Sequence, residues 1–139
     1  QLQIVTISKI YWVQSSYNIL LALYEVLNIP ELDKVYLNKA SAKLQGWFIV
    51  INTINNPNQY LQNGFGNVNI YGPNIGEQLP DGAGFKERLD IILPLLDDVT
   101  KVTANGTFHF QVDDEKGPFE DQDRDGMSYQ NIRFEYQTL

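Results

Sequence analysis

Hydrophobic and polar positions alternate at period two in the last third of the chain. From 107 to 112, Phe108, Phe110 and Val112 fall on one side and Thr107, His109 and Gln111 on the other. From 129 to 136, Ile132, Phe134 and Tyr136 oppose Asn131, Arg133 and Glu135. Successive strand side chains point to opposite faces, so the two runs predict a hairpin with one buried and one polar face. The acidic tract between them, 113 to 125, reads as a solvated hairpin loop.

Upstream the pattern changes. Residues 2 to 13 are β-branched and aromatic and favour extension. Ser15 or Ser16 is positioned to cap a helix over 17–28, with Leu20, Leu23, Tyr24 and Leu27 at helical spacing and Pro30 as its stop. Residues 35–37 form a candidate edge strand. The unbroken apolar run Trp47, Phe48, Ile49, Val50, Ile51 predicts a strand covered on both faces. Residues 67–71 alternate again, with Val68 and Ile70 inward. Phe85, Leu89, Ile92, Leu96 and Val99 make one apolar stripe, the signature of a second helix. Asp81 is placed to cap it, and Pro94 to kink it or end it early.

The order predicts an α+β two-layer sandwich: a mainly antiparallel four-stranded sheet with two helices on one face, plus an N-terminal extended arm. Residues 1–14 are the extension and 15–139 a single domain. The expected core packs Phe85, Leu89, Ile92 and Leu96 on Phe48, Val50, Val68, Ile70, Phe108, Phe110, Ile132 and Phe134.

Charge narrows the function. Ten basic against seventeen acidic residues leave a net −7, which argues against non-specific nucleic-acid binding, since that needs a basic footprint. With no cysteine there is no disulfide, thiolate metal site or thiol nucleophile. The apolar stretch from Ile10 to Tyr24 is broken by Gln14, Ser15, Ser16 and Asn18 and is too short and polar to span a bilayer. No secretory leader is expected in it.

Candidate chemistry is sparse. Asp121, Asp123, Asp125 and Gly126 match the opening of a calcium loop, D-x-D-x-D-G, but the twelfth position is Ile132 where a bidentate Glu belongs. A calcium-binding module built on those three carboxylates is therefore the weaker alternative, and the expectation is no metal and no cofactor. His109 is the single histidine and lies on the polar side of its strand with no second converging group. Gly82 and Gly84 precede a helix without completing a phosphate-binding motif. No catalytic residue is expected, and the chain is read as a non-enzyme. Tyr60, Leu61 and Phe65 sit in an Asn/Gln-rich connection, where aromatic residues are either ordinary half-buried positions or subunit contacts. Ile4, Ile7, Tyr11 and Trp12 in the extension are read as interface residues.

The stretches GWFIVINTI (46–54), GNVNIYGPNI (66–75), FKERLDIILPLLDDV (85–99), GTFHFQVDDEKGPFEDQD (106–123) and YQNIRFEYQTL (129–139), in that order, resemble the tail terminator (tail-to-head joining, or neck) proteins of long-tailed bacteriophages. The resemblance covers roughly residues 15–139 by organisation. It implies a virion protein, made in the host cytoplasm, that forms a homo-oligomeric ring, expected to be a hexamer. The ring would cap the tail tube and meet the head-completion or neck proteins. DNA would pass through its channel without specific binding, and no membrane would be involved. A related neck or tail-completion subunit is the nearer alternative.

Overall fold

The computed structural model describes residues 15–54 and 63–139. The elements run α1 (Ser16–Leu27), β1 (Val35–Leu37), β2 (Phe48–Thr53), β3 (Asn63–Pro73), α2 (Gly82–Leu96), β4 (Val99–Thr103), β5 (Gly106–Glu120) and β6 (Met127–Thr138). The six strands form one sheet in the order β1-β2-β3-β6-β5-β4, with β1 parallel to β2 and every other pair antiparallel. The fold is α+β, but the expected four-stranded antiparallel sheet is wrong: the sheet has six strands and is mixed.

Two short strands account for the difference. β1 is the candidate edge strand at 35–37, and it joins the sheet parallel to β2. β4 hides behind α2, because Val99 continues the helical stripe in sequence. The helix stops first: Asp97 is its C-cap and Asp98 takes a left-handed φ of 57°. That turn redirects Val99 into an extended path beside Phe110. The acidic tract is also not a loop. β5 continues through it to Glu120, pairing with β6 across two bulges, and only 121–126 turn.

Helix signals were read well where they were local. Ser15 caps α1 by accepting from the Asn18 N–H, and Asp81 caps α2 by accepting from the Gly84 N–H at 3.0 Å. These bonds satisfy N–H groups that have no partner inside the helix. Neither helix is long and apolar enough to cross a membrane.

α1 touches β1 and β2 at one end of the sheet and β4 at the other, while α2 lies on β3 and β5. A sheet whose two ends meet one helix must curl around it. The helices therefore fill the concave side with the main core: Ile19, Leu23, Leu27, Ile49, Ile51, Val68, Ile70, Phe85, Ile92, Leu96, Phe108, Phe110, Ile132, Phe134 and Tyr136. Phe48 and Val50 were expected there and are not. They are buried, but in a second cluster with Met127 on the opposite side, because strand neighbours point to opposite faces.

The parallel β1–β2 pair explains that second cluster. Adjacent parallel strands need a crossover. Here residues 38–47 make it over the convex side, bringing Ala40 and Leu44 onto Phe48 and Val50.

Trp47 anchors α2. Its indole meets Phe85 edge-on at 4.9 Å and carries the Arg88 guanidinium 3.5 Å above it. Arg88 is held by Asp33 at 2.6 Å and donates to the Gly84 carbonyl at 3.0 Å. A Cβ at Gly72 or Gly84 would run into the indole. Gly84, in the first turn of this helix, thus makes room for the indole.

Candidate functional site: the open face of the sheet

Among the described residues, the convex side of the sheet is covered only near β1 and β2, and elsewhere its side chains form cross-strand rows. In-register residues on neighbouring strands stand side by side, so the pairing sets each row.

The row at one end is aromatic. Phe48 pairs with Tyr71, Tyr71 with Tyr129, and Tyr129 with Phe119. The ring centroids are 4.7, 5.5 and 5.5 Å apart. Arg124 lies over the inner half of this row, its guanidinium carbon 5.0 Å from both the Phe48 and the Tyr71 centroid. It pairs with Asp121 at 3.1 Å and donates to the carbonyls of Ala40 and Ser41 at 3.0 and 2.8 Å. The turn 121–126 is thereby clasped to the 38–47 crossover. The Tyr71 hydroxyl is pushed above the ordinary tyrosine range, first by burial and next by the Asp121 carboxylate. Arg124 opposes the shift, while Tyr129 and Asp123 add to it.

Beside the aromatic row, four asparagines are joined in a network. Asn67 donates to Asn52 at 3.0 Å, and Asn131 donates to Asn67 at 3.1 Å and to Asn69 at 2.7 Å. Arg133 comes next, its guanidinium carbon 4.5 Å from the Phe65 ring centroid and its Nε 3.5 Å from Asp113. The far end is a shallow polar basin lined by Asn63, His109, Gln111, Glu135 and Gln137. His109 meets the Asp98 carboxylate at 2.8 Å.

The expected site residues are distributed unevenly. Phe65 sits in the middle of this face, half buried under Arg133. Ile4, Ile7, Tyr11, Trp12, Tyr60 and Leu61 lie outside the described residues. The Asp121 carboxylate is occupied by Arg124 and by the Asp123 N–H at 2.9 Å. Among the described residues, no three His, Asp or Glu side chains are grouped to hold a metal ion. Asp121 therefore belongs to a clasp with Arg124, and the side chains of Asp121, Asp123 and Asp125 are not grouped around one point.

Sequence reading missed the aromatic row and the clasp. Phe48, Tyr71, Phe119 and Tyr129 come from four strands, and only the register brings them together. The signal that was present is Arg124 itself, a cation set among three aspartates and so able to pair with one of them.

No protein-family model matches the chain, and no curated protein matches it. A solved structure, known by a sequence identifier alone, superposes with a TM-score of 0.60 over 91% of this chain and 96% of its own, at 12% identity. At that identity the likeness is one of fold, and it spans nearly all of both chains.

Proposed function

We propose that this chain is a structural subunit that assembles into a closed homo-oligomeric ring of the tail-terminator kind, capping a tail tube and joining it to the head. The observation that carries the proposal is the convex face, open among the described residues, with Phe65 on it. One layer of helices buries the concave side, while the convex side presents a wide, half-apolar surface made of side chains that hold one another in place. Such a surface loses little side-chain freedom when a neighbour covers it. A repeated heterologous contact through it closes a ring when the rotation fits. The resemblance in the sequence supplies the tail tube and the neck proteins as neighbours, and a hexamer as the expected ring. The net charge of −7 suits a channel wall that DNA slides past.

Native mass spectrometry and electron microscopy of the purified chain, alone and with tail tubes, test this. A single ring stoichiometry, of six, is expected at the tube end. Like charges on neighbouring subunits should make the ring weaker at low ionic strength. Phe65→Ala should leave the subunit folded and the ring population reduced. A chain that stays monomeric beside tubes, or one located in the capsid shell, removes the proposal.

A further inference from the structure

Among the described residues, the aromatic row is covered over only half its length. Phe48 and Tyr71 lie beneath Arg124, whereas Tyr129 is half exposed and Phe119 is 44% exposed. The covered half shows what this surface selects: a guanidinium stacked on two rings and paired with one carboxylate, Asp121. The open half repeats the ingredients. Its two rings stand 5.5 Å apart. Glu120 follows Phe119 in the chain and Asp123 lies in the turn that joins β5 to β6, and both are exposed. Lys116, from the adjoining row, is neutralised by Asp114 at 3.4 Å.

We propose that Tyr129 and Phe119, with Asp123, form a docking site for an arginine side chain presented by a different protein. Arginine fits because its planar, weakly hydrated cation stacks on aromatic faces while its fork engages a carboxylate. A second copy of this chain is a poor source. Its three arginines are all engaged at home: Arg88 with Asp33 and Trp47, Arg124 with Asp121, and Arg133 with Phe65 and Asp113. The acidic surface at the hairpin end would draw in a basic segment and repel a like-charged neighbour. The site is complete on one subunit, so its test does not depend on the ring.

The probe is a blocked five-residue peptide, Gly-Ser-Arg-Ser-Gly, titrated into the full chain with labelled Phe and Tyr rings and followed by NMR. Two control peptides carry citrulline or lysine in place of arginine. The Phe119 and Tyr129 ring signals should shift saturably with the arginine peptide, less with lysine, and not with citrulline. Phe119→Leu removes the ring but keeps apolar bulk at a partly exposed edge, and Tyr129→Leu does the same one strand inward. Each should weaken binding about two- to fivefold, the contribution of one exposed cation–π contact. Asp123→Asn should weaken it as well. Equal binding of the citrulline peptide overturns the proposal, as do shifts at the acidic turn without ring shifts. Ring shifts that grow with protein concentration in the absence of peptide would make a second copy the occupant, and would overturn it too.

Discussion

Replacing Arg124 with methionine should be among the most damaging single changes outside the main core. The guanidinium is buried, with Arg124 7% and Asp121 8% exposed. Methionine keeps a flexible apolar chain over Phe48 and Tyr71 but leaves the Asp121 carboxylate without its cation. Its one remaining partner is the Asp123 N–H. Breaking a buried pair by removing one member costs about 3–5 kcal/mol. The carbonyls of Ala40 and Ser41 add little, because Ala40 is only half buried and Ser41 exposed, so water replaces the lost donor. The loss is a large share of the roughly 5–15 kcal/mol that holds a domain together. Urea melts of the wild type, Arg124→Met, Asp121→Asn and the double variant form a cycle. Removing both charges should recover part of the loss, with a coupling of about 2–3 kcal/mol, as for residues in one network. A coupling below about 0.5 kcal/mol would refute the clasp, because it would place the pair in effective contact with water.

Three further outcomes follow from the packing. Ile92→Ala should cost about 2–5 kcal/mol, and Leu89→Ala clearly less, because Ile92 is fully buried and Leu89 only packs against the core from its margin. Chemical melts that reverse this order would mean α2 is rotated. Gly84→Ala puts a Cβ 2.5 Å from Trp47 Cζ2 and should cost about 1–3 kcal/mol, although alanine is the better helix former; a stabilised variant would show that the indole moves freely. The Tyr71 and Tyr136 hydroxyls are both raised above 10.0, chiefly by burial. The unfolded chain then loses these protons first, so stability should hold up to about pH 10 and fall as pH rises through the higher folded values. A pH series of melts with ultraviolet phenolate titration checks this, and all eight tyrosines ionising together at the ordinary value would contradict it.

Local chemistry was legible in the sequence, and register was not. Ser15 and Asp81 announce their helices because a cap acts within three residues. The inward positions Phe108, Phe110, Ile132 and Phe134 are visible because period two persists over several residues. β4 was lost because Val99 fits two periods at once, and a single left-handed residue, Asp98, decides between them. The side on which Phe48 and Val50 are buried depends on how residues 38–47 cross over, and no local pattern records that path. Phe65 stands out in the sequence as a large aromatic in an amide-rich stretch, and the structure puts it on the convex face under Arg133. Its neighbours on the face, Arg133 and Asn131, read only as the polar side of a strand.

β5 runs on past the end of β4, so among the described residues its outer edge from Gln111 to Glu120 has no neighbouring strand. A bare edge of that length invites another chain to add to it. This one carries Asp113, Asp114, Glu115 and Glu120, bulges twice, and includes Pro118, which has no N–H to offer. Each feature disfavours strand addition. The consequence concerns concentration. At high concentration this stretch resists extension by a strand of a second copy, and among the described residues that leaves only the short outer strands, β1 and β4, with an edge where the sheet could grow.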